Sequence, residues 1–166
     1  MKLAEHPLLK SHLGKSAILD SNLLLLAWCC KFDPLLLNTF KRLNSFEAGD
    51  LLLLSETLNL FSTLWTTPHV LTEVSNLANS LPSWIRERWS EFFSKQILLI
   101  HEAYEPSCNL ASDPVAFRFG LTDSALTRLA SNHVILTTDW PLCGLLESRK
   151  LPVVNFNRLR EAELSL

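Results

Sequence analysis

Two kinds of apolar segment alternate along this chain of 166 residues, and the alternation limits the folds open to it more than any single residue does. Ala17-Ile18-Leu19 and Val134 to Thr137 are short, β-prone runs, each followed within two residues by an aspartate, Asp20 and Asp139. Runs so short and so uniformly apolar suit strands buried on both faces. Between them lie longer stretches whose apolar residues recur at helical spacing. Strand and helix in succession predict a three-layer α/β/α domain with a mainly parallel sheet and right-handed crossovers. Neither an internal repeat nor a linker divides residues 1–166, so one domain is expected.

A leucine-rich helix should follow Asp20. Asp33 and Pro34 read as an N-cap and first-position Pro for a helix that carries Leu36, Phe40 and Leu43 and is closed by Gly49. Asp50 to Phe61 reads as a further helix and Leu64-Trp65-Thr66 as a short strand. Thr67 and Pro68 open the next helix, with Val70, Leu71, Val74, Leu77 and Ala78 on its apolar face and Glu73 at the edge. Ser83 to Lys95 is an amphipathic helix and Ile97 to Ile100 a strand. A Pro-interrupted connection over 105–120 has room for a short helix at Val115 to Phe119. Leu121 to Ser131 is helical, Val134 to Thr137 a strand, Leu142 to Ser148 a helix, and Pro152 to Asn155 a final strand.

Composition narrows the function class. A hydrophobic content of 48% is ample for a core and excludes global disorder. Lys and Arg number 15 against 17 Asp and Glu, a net charge of −2, so any polyanion must be held by local charge. Apolar runs such as Leu23 to Cys30 fall far short of the ~20 residues of a membrane span. Glu5, His6 and Lys10 interrupt the N-terminal stretch before any signal peptide develops, so a cytoplasmic protein with no membrane partner is expected. The four cysteines lack zinc-site spacing and read as mostly buried thiols.

In a parallel sheet Asp20 and Asp139 would lie at the carboxyl ends of strands, where open α/β sheets bind ligands. Glu73 and Asp123 come early in helices that should begin on the same edge. Four carboxylates gathered there repel one another and raise each other's pKa, and a divalent cation offsets that repulsion. Oxygen-only ligands suit Mg²⁺ or Mn²⁺. Each acid also has a plain structural reading: Asp20 as a helix cap, Asp123 as a residue favoured by the helix dipole, Asp139 as the start of a turn, Glu73 as a helix flank. Their joint placement favours a site.

Asp20-Ser21-Asn22 after a strand, Thr67 to Glu73 opening a helix, Leu121-Thr122-Asp123 opening another and Thr137-Thr138-Asp139 ending a strand together resemble the PIN domain family of ribonucleases. The likeness runs over roughly residues 16–157. It implies a five-stranded sheet of order 3-2-1-4-5 and an acidic pocket for one or two Mg²⁺ or Mn²⁺ ions. Carried over by position, Asp20, Glu73, Asp123 and Asp139 would be the metal-binding and catalytic residues, with Asn22 and Thr137 steadying them. The implied reaction is metal-dependent endoribonuclease hydrolysis of RNA that leaves a 5′ phosphate and a 3′ hydroxyl. A homodimer, and an antitoxin partner if the chain is the toxin of a toxin–antitoxin pair, are further implications. Extra length at 102–120 sets this chain apart from the compact toxin members.

Setting the four aside leaves 13 of the 17 acids against 15 bases, so positive walls around a metal-filled pocket are compatible with the overall charge. Candidate phosphate contacts are Lys10 and Lys15 near the first strand, Arg118 before the third acidic motif and Arg128 in the helix after it; each reads equally as ordinary surface charge. His69 reads as a helix-start residue rather than a ligand. Trp140 stands where a base could stack, whereas Trp28, Trp65, Trp84 and Trp89 fall mostly at core-like positions. A haloacid dehalogenase-type phosphatase would need an acid where Asn22 stands, and a receiver domain would need an adjacent acidic pair after the first strand. The alternative from another class is a catalytically silent PIN-like module that binds RNA or protein, which the presence of all four acids disfavours.

Overall fold

The computed structural model describes residues Leu3–Glu163. Five strands, β1 (Ser16–Leu19), β2 (Thr63–Thr66), β3 (His101–Glu102), β4 (Val134–Thr137) and β5 (Val153–Asn155), form one sheet in the order β3-β2-β1-β4-β5, with every pairing parallel. Order and direction are those the sequence led us to expect. Parallel neighbours cannot be joined by tight turns, so the connections carry the helices that flank the sheet. In chain order these are α1 (Pro7–Lys10), α2 (Ser21–Phe32), α3 (Leu36–Thr39), α4 (Ala48–Leu58), α5 (Pro68–Ala78), α6 (Ser83–Ile97), α7 (Ser107–Leu110), α8 (Pro114–Phe119), α9 (Leu121–Leu129), α10 (Trp140–Ser148) and α11 (Phe156–Glu163).

The central strands are buried as their composition demands: Ala17, Ile18 and Leu19 of β1 and Val134, Ile135 and Leu136 of β4 are all inaccessible to solvent. Helix α2 is apolar on every side, a pattern that belongs to an interior helix. Leu23, Leu24, Leu25, Leu26, Trp28, Cys29 and Cys30 are accordingly buried, and α2 packs against α3, α4, α5 and α6. At its far end Trp28 meets Phe93 edge-on at 5.4 Å, and Phe32 meets Trp89 likewise at 5.6 Å. Cys29, Cys30 and Cys143 are buried thiols as expected, and Cys108 is exposed. No helix among the described residues is long and apolar enough to cross a membrane.

Two segments differ from the sequence reading. Gly49 does not close a helix but lies in the first turn of α4. The Asp50 carboxylate accepts the Glu47 N–H at 2.8 Å and starts that helix at Ala48. The stretch before it breaks into α3 and a single 3₁₀ turn at Lys41–Leu43 because Phe40 takes an extended conformation. Ile97 to Ile100 is not a strand: α6 runs on to Ile97, the Leu98 N–H still donates to the Ser94 carbonyl, and β3 begins only at His101. Leu98 and Leu99 are left exposed, so an apolar run there did not signify a buried strand. The short α1 and α7 and the final α11 lie outside the elements read from the sequence.

Candidate functional site

Sheet order places a topological switch between β1 and β4, where the chain leaves one side of β1 and returns on the other. Leu19 pairs with Leu136, and the Asp20 N–H donates to the Leu136 carbonyl at 2.8 Å, which brings Asp20 beside Thr137 at the carboxyl edge. The Asp20 side chain is buried and held on both oxygens. Oδ1 accepts the Leu23 N–H at 2.8 Å as the N-cap of α2; Oδ2 accepts the Thr137 hydroxyl at 2.6 Å and the Thr138 N–H at 2.8 Å. Thr137 Oγ1 also accepts the Asp139 N–H at 2.9 Å, and Asp139 Oδ1 caps α10 through the Leu142 N–H at 2.7 Å. Both aspartates are thus helix caps and site residues at once, because the end of a parallel strand and the start of the next helix are the same place.

Glu73 lies in the second turn of α5, whose start is fixed by Pro68 and by the Thr67 hydroxyl accepting the Val70 N–H at 3.1 Å. The Ser21 hydroxyl donates to Glu73 Oε2 across the gap between α2 and α5. Asp123 stands in the first turn of α9, after Gly120 at φ +96° has turned the chain between α8 and α9. The four carboxylates line one cleft of about 240 Å³ together with Asn22 and Thr137.

Electrostatics in this cleft are uncompensated: among the described residues, none of the four acids has a Lys, Arg or His ion-pair partner. Burial, then the negative charges of Asp139, Glu73 and Asp20, push the Asp123 carboxyl up to about 7. Asp20 is raised as well, chiefly by burial, against which its hydrogen bonds from Thr137, Leu23 and Thr138 pull down. The helices that begin here direct partial positive charge at the acids, which offsets only part of their repulsion.

Among the described residues no group of three His, Cys, Asp or Glu side chains is already arranged to hold a metal ion. The acids share a cleft without converging on one point. The donor set itself suits a hard divalent cation, since it is all carboxylate oxygen, carries excess negative charge, and includes the exposed Glu73 and Asp139, whose side chains have room to rotate inward.

Of the other residues singled out, Thr137 bonds both Asp20 Oδ2 and the Asp139 N–H. Asn22 does not steady the acids: its exposed side chain has no hydrogen-bond partner among the described residues, and the support comes instead from Ser21, Thr137 and Thr138. Ser21 and Thr138 stand inside the motifs quoted from the sequence, but a hydroxyl's direction is not readable there.

Lys15 immediately precedes β1, at the end opposite Asp20, so it is not brought to the cleft; nor is Lys10, on α1 ahead of it. Arg128 pairs with Glu105 at 3.3 Å and donates to the Asn109 carbonyl, which commits it to the 105–110 segment. Arg118 is exposed and lies 5.1 Å over the ring of Phe119, a residue of the cleft wall. His69 bonds Ser107 at 3.1 Å. Trp140, about half exposed at 47%, is covered on one face by Arg158 at 5.4 Å.

No family model matches this sequence, and no curated protein does.

Proposed function

We propose that the protein is a Mg²⁺- or Mn²⁺-dependent endoribonuclease of the PIN type that hydrolyses RNA phosphodiester bonds in the acidic cleft. The observation that carries this reading is the gathering of Asp20, Glu73, Asp123 and Asp139 in one cleft where, among the described residues, no Lys, Arg or His pairs with them. The raised carboxyl of Asp123, pushed up to about 7 by burial and by its three acidic neighbours, supports the reading, since a bound cation would relieve that repulsion. The choice of RNA over other phosphodiesters rests on the sequence resemblance, as do the further proposals of a homodimer and an antitoxin partner; a cytoplasmic setting is proposed from the interrupted N-terminal stretch and the short apolar runs of the sequence.

In this reading the four carboxylates hold the ion, which when bound polarises the scissile phosphate and lowers the pKa of an attacking water. The remaining work belongs to the protein. Thr137, Thr138 and the α2 backbone fix Asp20 in one orientation, so that buried ligand needs no reordering, and the α10 backbone holds one oxygen of the exposed Asp139 while leaving the other free. Ser21 restrains Glu73 while leaving its second oxygen free.

Two measurements test the proposal. Mn²⁺ should raise the melting temperature in proportion to the logarithm of its concentration above Kd, and Asp20→Asn should abolish the rise. A panel of structured RNAs should be cut with Mn²⁺ and left intact with EDTA or by Asp123→Asn. Cleavage that persists in both controls rejects the site; a melting response to Mn²⁺ without any cleavage rejects the nuclease and favours a metal-binding module of the same fold.

A further inference from the structure

A second cleft, of about 250 Å³, opens beside the acidic one and shares Asn22 with it. Its other walls are Arg42, Ser45, Phe46, Thr138, Asn157 and Arg160. No carboxylate lines it, and apart from the Phe46 ring every wall residue offers a hydrogen-bond donor.

The two arginines differ in freedom. Arg160 is a fixed wall: its Nε lies 2.7 Å from Asp50 Oδ1, its Nη2 donates to the Ser45 carbonyl at 2.9 Å, and its guanidinium lies over Phe46 at 5.6 Å. Asp50 therefore matches the charge of Arg160. Arg42, exposed on the 3₁₀ turn Lys41–Leu43, has neither an ion pair nor a hydrogen bond among the described residues. The unmatched Arg42, the unpartnered Asn22 and Ser45 thus line a cleft without an acid. That combination suits an anion with several acceptor oxygens, and phosphate above all.

Besides Asn22, Thr138 links this cleft to the acidic one. The Thr138 N–H donates to Asp20 Oδ2 on one side, while its carbonyl accepts from Asn157 Nδ2 at 2.8 Å on the other. A strand whose scissile phosphate occupies the acidic cleft would carry its neighbouring backbone phosphate past Thr138 into the basic one.

We propose that the Arg42 cleft is a backbone-phosphate subsite for the RNA strand, with Arg42 as the mobile cation and Asn22 and Ser45 as its neutral partners. This rests on the ribonuclease reading, which makes the acidic cleft the place of the scissile phosphate. It also transfers the role of local positive charge from Lys15 and Arg128 to a residue whose proximity to Asn22 depends on the fold.

The test is binding of a short single-stranded RNA in EDTA, where no cutting occurs, followed by fluorescence anisotropy at several salt concentrations. Arg42→Ala should weaken binding several-fold and lower the slope of log K against log salt by about 0.7, the loss of one phosphate contact; Arg42→Lys should restore part of both. Arg42 is exposed and makes no hydrogen bond, ion pair or ring contact among the described residues, so equal melting temperatures of wild type and Arg42→Ala check that the variant is folded. In a scan of RNAs carrying one neutral methylphosphonate linkage each, one position should weaken binding to the wild type and leave Arg42→Ala unaffected. Equal affinities and slopes for wild type and Arg42→Ala, or equal penalties in both at every linkage, overturn the subsite. Mn²⁺-dependent cleavage of the same RNA is scored separately: cutting without an Arg42 effect overturns the subsite alone, and an Arg42 effect without cutting upholds the phosphate contact while overturning the nuclease reading.

Discussion

Asp123 shows how a residue can be unfavourable to the fold and useful to a site. Its carboxyl is raised to about 7 from the ordinary carboxylate value, so the folded state binds a proton that the unfolded chain has already released. Stability contributed by that proton is present at low pH and is lost as pH rises towards about 7. In EDTA, Asp123→Asn should therefore melt a few degrees above the wild type at pH 8, and the two curves should converge as pH falls towards 4, as read by calorimetry across a pH series. Mn²⁺ should reverse the order at pH 8 by stabilising only the wild type. Identical melting at every pH would mean that Asp123 is not repelled by its three neighbours.

At the scale of elements, the site is a set of helix starts. Asp20, Thr67 and Asp139 each cap a helix with a side-chain oxygen, so α2, α5 and α10 begin with their backbone donors satisfied and their direction set. Helix α9 has no such cap and relies on Gly120, which ends α8 and begins α9 at φ +96° and ψ 172°. A side chain would find open space there, but the conformation itself is one that residues with a Cβ rarely adopt. Gly120→Ala should cost about 1–3 kcal/mol in chemical denaturation. It should also weaken the Mn²⁺-induced rise in melting temperature, because the first turn of α9 carries Asp123. A variant with unchanged stability and metal response would show that the turn does not position the acid.

Across the whole molecule, the cleft exists because β1 and β4 are neighbours in the middle of the sheet. Ile18 sits at that centre, paired with Trp65 on one side and Ile135 on the other and fully buried. Ile18→Ala should cost about 2–5 kcal/mol, measured by urea unfolding; a loss below about 1 kcal/mol would mean that the sheet centre repacks more freely than its burial suggests. Much of this was readable from the chain alone. Uniformly apolar runs of strand length mean strands buried on both faces, and an acid directly after such a run must emerge at the carboxyl edge, so Asp20 and Asp139 were legible as a pair. The leucine-rich α2 and the Thr67-Pro68 helix start were legible for the same reason: burial and capping are local consequences of residue type and spacing. Partners distant in sequence were not. Nothing in the order of residues says that the Thr137 hydroxyl points at Asp20, that Arg128 is taken by Glu105 while Arg42 is left free, or that Asn22 opens onto Arg42 rather than supporting the acids. Those depend on side-chain directions and on which helices pack together, quantities set by the summed contacts of the folded chain and carried by no short stretch of it.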